Sequence, residues 1–174
     1  MGDIKIKNTK IPEEASKELL EKTLIDNGKL TIPVDVVKIA EMIGIKVMIL
    51  PLEKGTDGLL VKKENEPFVA VVDSASNPHR ARFTLAHEIG HYIKDYQDFP
   101  IDESAGLVEK RDELSSAGVD SKEIWANQFA ASLLMPAAAV KSLWASNKTI
   151  ERMASLMNVS IASLGHRLDY LGLH

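Results

Sequence analysis

Cysteine is absent from this sequence of 174 residues. That excludes disulfides, thiolate nucleophiles, zinc fingers and iron–sulfur clusters, and a metal site would have to be built from His, Asp and Glu. Long hydrophobic runs are lacking too; a stretch such as 68–72 is far too short to span a bilayer. The first residues, MGDIKIKNTKIPEE, hold no apolar core of a secretory signal. Met1-Gly2 would suit myristoylation only with Ser or Thr at position 6, where this chain has Ile6. The expectation is a cytoplasmic protein with no membrane anchor. An excess of positive charge is also missing. Lys and Arg number 21 against 25 Asp and Glu, a balance of −4, which excludes a generally basic nucleic-acid coat but not a local basic face. What remains is ordinary globular material, 45% apolar and 26% charged, enough for one domain with a buried core.

The pattern along the chain predicts mostly helices around a small sheet. A helix over 12–27 opens on Pro12 with Glu13 and Glu14 at its positive end and stops at Asn27-Gly28. A second covers 33–43, with Gly44 closing it. Three strands are predicted at 45–50, 58–63 and 67–73, the last two joined by a hairpin connection at Lys63-Glu64-Asn65-Glu66. A long helix follows over 79–96. From 97 to 123 eight acids face three bases, a net −5. The stretch 97–119 reads as a solvated surface loop with a short helical piece, or as a lid beside an active site. Further helices are predicted at 121–135, 136–145, 148–157 and 160–171, with Trp144, Met153 and Met157 as core residues.

The long helix contains His87-Glu88-Ile89-Gly90-His91, an H-E-x-x-H. Residues four apart share a helix face, so both imidazoles can reach one metal ion. Glu88 is one step round and can address a water beside that ion, taking its proton as it attacks a carbonyl. With five histidines and this many acids, chance would supply about 0.01 such motifs in the chain. Gly90 costs about 1 kcal/mol of helix propensity relative to Ala, and a small residue there would leave space above the sheet or beside the metal.

Two histidines and a water leave one ligand to find. Candidates among the downstream acids are Asp95, Asp98, Asp102, Glu109, Asp112, Glu113, Asp120 and Glu123. Most fall in the acidic stretch. Glu123 differs, lying in the first turns of an apolar helix, and a rigid element holds geometry better than a loop. Asn127 is four residues further on the same face. It could accept a hydrogen bond from the second ring nitrogen of a ligand histidine. Two His and one carboxylate suit Zn²⁺ first, with Mn²⁺ or Fe²⁺ as alternatives.

Two blocks, Arg82-Phe83-Thr84-Leu85-Ala86-His87-Glu88-Ile89-Gly90-His91 and the stretch from Glu123-Ile124-Trp125-Ala126-Asn127 to Leu134-Met135-Pro136, resemble the ImmA/IrrE metallopeptidases. They match that family's R-F-T-x-A-H-E-x-G-H and E-x-x-A-N-x-F-A-A-x-L-L-M-P patterns. The weaker segments 40–47 and 158–173 also fit, so the resemblance covers roughly 30 to 173. It implies a thermolysin-like minimal zincin with His87, His91 and Glu123 as metal ligands and Glu88 as catalytic base. Trp125 departs from the family, which often has a polar or acidic residue there; the change affects no ligand but alters the pocket rim. Tyr92, Tyr96 and His79 are eligible by chemistry to stabilise an oxyanion, and the motif selects none of them. The fold expected is α+β: a small three-stranded sheet packed on a mainly helical zincin-like domain, H-E-x-x-H on a central helix and a helical C-terminus. One domain over 1–174 would comprise a catalytic core at 29–136 and a helical subdomain at 137–174.

The reaction implied is peptide-bond hydrolysis in an extended protein segment bound by strand addition to one of the three strands. The family resemblance makes the substrate a partner helix-turn-helix repressor, whose cleavage derepresses mobile-element or stress genes. One alternative comes from 150–171, where two short helices around Asn158-Val159-Ser160 resemble a helix-turn-helix, within a C-terminal stretch 141–174 of net +2. Ser160, Ile161, Ala162 and Ser163 occupy the place where a recognition helix would offer Arg, Lys, Asn or Gln, so direct nucleic-acid contact is not expected. The other alternative is a non-catalytic metal-containing regulator, against which the intact Glu88 argues.

Overall fold

The computed structural model describes residues 4–7, 10–98, 107–112 and 121–174, with 107–112 described through its backbone. Helix α1 (Pro12–Thr23) begins on its proline and carries Glu13 and Glu14 in the first turn and Lys22 in the last. It ends before Asn27. The chain turns through Asn27 and Gly28, both with positive φ, closed by a bridge between Asp26 and Lys29. Helix α2 (Val36–Met42) starts later than Pro33 because the Asp35 side chain accepts from the Lys38 amide and so sets the cap.

The three expected strands are present as β1 (Lys46–Leu50), β2 (Thr56–Lys62) and β3 (Val69–Asp73). A fourth, β4 (Leu107–Asp112), joins them in the order β1-β3-β2-β4. β1 runs parallel to β3, while β2 is antiparallel to both β3 and β4. The strand β4 lies inside 97–119, where the composition pointed to a loop with a helical piece. Its run Leu-Val-Glu-Lys-Arg-Asp has little of the β-branched alternation of a core strand, but an edge strand needs only one paired neighbour and tolerates charge.

Helix α3 (Pro78–His91) is capped by Asn77, whose side chain accepts from the Arg80 amide. Every residue from Thr84 to His91 is buried. That follows from its place in the fold: α3 packs on β2 and β3 and also on α2 and α4 (Ser121–Leu134), and α4 packs in turn on α1. The helix expected over 79–96 changes character at its end, where Tyr92–Tyr96 continues it as a π-helical segment.

The chain closes with α5 (Ala137–Ala145), α6 (Ile150–Met157) and α7 (Ile161–Tyr170). Thr149 and Ser160 cap the last two helices, and Asn158 supplies the left-handed turn between them at φ 52°. Met153 and Met157 are fully buried and Trp144 packs partly buried against the core. Arg167 on α7 is 3% exposed. It donates to the Met135 carbonyl at 2.9 Å and to Glu13 Oε1 at 2.8 Å, while Ser132 Oγ donates to Glu13 Oε2 at 2.8 Å. One ionic knot thus joins α1, α4 and α7. Among the described residues no helix is long and apolar enough to cross a membrane.

Candidate metal centre

His87 and His91 stand one turn apart on α3 with ring centroids 4.6 Å apart and their Nε2 atoms at 2.9 Å. Glu123, in the first turn of α4, brings Oε2 to 3.2 Å from His87 Nε2 and Oε1 to 3.0 Å from His91 Nε2. Three donor groups therefore converge on one point, the one such group of three among the described residues. A tetrahedral zinc with N and O ligands at about 2.0–2.1 Å separates neighbouring donor atoms by about 3.3 Å. The two Nε2 atoms, 2.9 Å apart, are close to such an edge, and each has a different oxygen of the Glu123 carboxylate beside it, at 3.2 and 3.0 Å; the donor atoms of the three residues gather closely enough to fit a small divalent ion. Burial would raise the Glu123 pKa, but hydrogen bonds from His87 and His91 outweigh it and hold the carboxyl well below the usual range.

The approach of α4 to α3 depends on Gly90. A Cβ there would lie 3.1 Å from Phe129 Cδ1 and 3.3 Å from the Ala126 Cα. The space it leaves is thus filled by α4 itself, and not by the sheet or by a ligand pocket. Asn127, one turn after Glu123, places Oδ1 3.0 Å from His87 Nδ1. We assign the hydrogen to Nδ1, which leaves the Nε2 lone pair directed at the cluster. Asp95 takes the matching place behind His91, with Oδ2 3.8 Å from His91 Nδ1 and Oδ1 3.2 Å from Lys122 Nζ. Of the acids considered as a third ligand whose side chains are described, Glu123 is the one brought to both Nε2 atoms.

Glu88 is 1% exposed and lies under β2. The strand can come this close because residue 58 is glycine. A Cβ at Gly58 would collide with Thr84 Cγ2 and sit 3.2 Å from Glu88 Oε1. β2 alternates buried and half-buried residues, and Gly58 falls on the buried side with Thr56, Leu60 and Lys62. Its register against β4 shifts between Thr56 and Gly58, a bulge of the kind found beside functional sites. Asp57 in that bulge makes a two-point ion pair with Arg80 at 2.7 and 2.5 Å, tying β2 to the start of α3.

The other candidates go elsewhere. Asp98 pairs with Lys5 at 3.3 Å. Glu109 and Asp112 stand on β4 opposite Leu60 and Thr56; Asp102, Glu113 and Asp120 lie outside the described residues. Tyr92 and Tyr96 pack on Phe68 at 5.1 and 6.0 Å between ring centroids. His79 is exposed, eight residues before His87 and so about 12 Å along the helix. Trp125 stacks on Phe129 at 5.3 Å, lies 5.4 Å under Lys94 Nζ and donates from Nε1 to the Lys10 carbonyl at 3.2 Å. Gly58 escaped the motif reading, although a lone glycine inside a strand pattern is itself a sign of close approach.

A family model, peptidase M78, described as the IrrE N-terminal-like domain, matches residues 40–169. No curated protein matches the chain.

Proposed function

The chain belongs to the IrrE N-terminal-like domain family, a family of metallopeptidases, and from that membership we propose that it is a zinc endopeptidase in which His87, His91 and Glu123 hold the ion and Glu88 is the catalytic base. The observation that carries the reading is the triangle of His87, His91 and Glu123 donor atoms with Glu88 buried beside it on the same helix. A divalent ion held there supplies Lewis acidity, polarising a scissile carbonyl and making nearby water acidic. Glu88 takes the proton of the attacking water and delivers it to the departing amine as the C–N bond breaks. The close cover of β2 over Glu88 keeps bulk water from competing for its carboxylate.

An extended substrate segment would add to the sheet at β4. Among the described strands β1 and β4 are the edges, and β4 is the one beside β2. Of the three strands first considered, β2 and β3 are interior, and β1 lies beyond β3 from β2. The substrate we infer is a helix-turn-helix repressor in the cytoplasm, cut in a segment that can extend. DNA contact by α6–α7 has less support. Arg167 is buried on Glu13, and the exposed positions of α7 are Ile161, Ala162, His166, Asp169 and Tyr170, with no Lys or Arg among them. Zn²⁺ is the first choice for two imidazoles and a carboxylate, Mn²⁺ or Fe²⁺ the others.

The test is metal content by mass spectrometry on wild type and His87→Ala, with cleavage of a repressor encoded beside the gene followed for wild type and Glu88→Gln. About one metal per chain, lost in His87→Ala, with cleavage lost in Glu88→Gln, is expected. Metal bound with cleavage indifferent to Glu88 would make the site a regulatory one and overturn the mechanism.

A further inference from the structure

We infer that Asp95 is a positioning residue for His91: its carboxylate holds the imidazole by the Nδ1 edge, and Lys122 holds the carboxylate. The inference rests on the metal-site reading above and adds a residue that the H-E-x-x-H pattern does not contain.

Three observations carry it. First, Asp95 Oδ2 lies 3.8 Å from His91 Nδ1 while Oδ1 is 3.2 Å from Lys122 Nζ, so the two oxygens face different partners. Second, Oδ2 is buried and has no hydrogen-bond partner, a costly condition for a carboxylate oxygen that a small rotation toward the ring relieves. A separation of 3.8 Å is outside hydrogen-bond range, but less than 1 Å of travel closes it. Third, the two ligand histidines are treated alike. His87 has the Asn127 oxygen on its Nδ1 side at 3.0 Å, and His91 has the Asp95 oxygen on the same side of its own ring. Each arrangement directs Nε2 at the cluster, and the charged acceptor makes His91 the stronger donor. Burial would raise the Asp95 pKa, but His91 and Lys122 hold it below the usual range.

The position of Lys122 gives the pair a second effect. It precedes Glu123 on α4, whereas Asp95 stands in the π-helical segment four residues after His91. The Asp95–Lys122 ion pair thus links the exit of the helix that bears the histidines to the first turn of the helix that bears the carboxylate. Lys122 is 53% exposed, so its contribution is to orientation more than to stability.

The experiment measures zinc affinity on the full chain, made metal-free and titrated against a chromophoric chelator. The variants are Asp95→Ala, Asp95→Asn, Lys122→Met and, as a neighbouring control, Asp98→Ala. Wild type binds about one zinc. Asp95→Ala weakens binding ten- to a hundredfold, the range for loss of a group that orients a ligand histidine. Asp95→Asn, which keeps an acceptor oxygen and loses the charge, weakens it less. Lys122→Met falls between wild type and Asp95→Ala, and Asp98→Ala stays at wild type. The visible bands of the cobalt-loaded protein shift in both Asp95 variants and not in Asp98→Ala, a readout that general loosening of the fold would not produce. Wild-type affinity in Asp95→Ala overturns the inference and leaves the metal site standing. If Asp95→Ala does not fold, wild-type affinity and an unshifted cobalt spectrum in Asp95→Asn overturn it instead. Failure of wild type itself to bind zinc overturns the metal-site reading and the inference together.

Discussion

At the scale of single residues, two glycines set the distances of the site without touching a metal. Gly58 lets β2 rest on Thr84 and Glu88. Its backbone φ is not in the left-handed region, so only space is at stake. Gly58→Ala is expected to destabilise the protein by about 1–3 kcal/mol, the usual cost of overpacking. It should also lower kcat/KM beyond what stability explains, because one of the atoms it displaces is a Glu88 oxygen. Urea unfolding and steady-state cleavage of one peptide substrate check both parts; unchanged cleavage would mean the strand yields instead of Glu88. Gly90 sets opposing effects against each other. Gly90→Ala gains about 1 kcal/mol of helix propensity, yet its Cβ would press on Phe129 and Ala126 at 3.1 and 3.3 Å. The two stability effects nearly cancel, but only the second moves Glu123 away from the histidines. The expected result is a stability change within about 1 kcal/mol together with weaker zinc binding, read by chelator competition.

At the scale of elements, α1, α4 and α7 meet at Glu13, Arg167 and Ser132. Arg167 has a side chain only 2% exposed, whereas Glu13 is 31% exposed. Removing the carboxylate strands a buried guanidinium, and after allowance for water around Glu13 the cost of Glu13→Gln is about 2–3 kcal/mol at neutral pH. Burial raises the Glu13 pKa, but the Arg167 and Ser132 hydrogen bonds outweigh it and leave the folded value below the ordinary 4.5. A carboxylate depressed on folding contributes fully above its unfolded pKa and loses that contribution as pH falls through the folded value. The stability gap between wild type and Glu13→Gln is therefore constant near neutrality and shrinks on acidification below about pH 4.5. Denaturant melts from pH 7 downward test this; a gap that widens in acid would contradict the sign. Elements with strong local signals were legible in the sequence. Pro12 marks a helix start that the structure keeps, and the starts read at 79, 148 and 160 lie within two residues of the observed Pro78, Ile150 and Ile161. β4 was not legible, because its pairing with β2 is decided by a partner about fifty residues away and its charges resemble those of a loop. His87, Glu88 and His91 could be read from periodicity alone, since one helix carries them. Glu123 needed a second block for its assignment, Asp95 needed the packing of elements that no local pattern encodes, and Gly58 had a local sign, a lone glycine in a strand pattern, whose meaning only that packing reveals.

At the scale of the whole molecule, the proposed metal binding would be linked to folding through the contact of α3 with α4. The matched family region covers 40–169, yet α1 lies outside it and packs Ala15, Leu19 and Leu20, at 0–3% exposed, into the same core. The donor triangle therefore depends on the assembly of helices from both ends of the chain, and an unfolded chain cannot present it. Zinc should bind the native state alone and raise its stability by RT ln(1 + [Zn]/Kd), about 2.7 kcal/mol at a hundredfold excess over Kd. For a chain of this length each kcal/mol moves Tm by about 2–4 °C, so zinc is expected to raise Tm by about 5–11 °C and chelation to reverse the change. His87→Ala and Glu123→Ala should abolish the shift, whatever their metal-free Tm. Glu88→Gln should keep the shift and lose cleavage, since Glu88 is not one of the three groups that converge and in the proposed mechanism acts on the water proton instead. Scanning calorimetry with and without zinc, beside one cleavage assay, separates the two roles. A Glu88→Gln protein that lost the zinc shift would make Glu88 part of the metal's support, and the division of labour between binding and proton transfer would have to be redrawn.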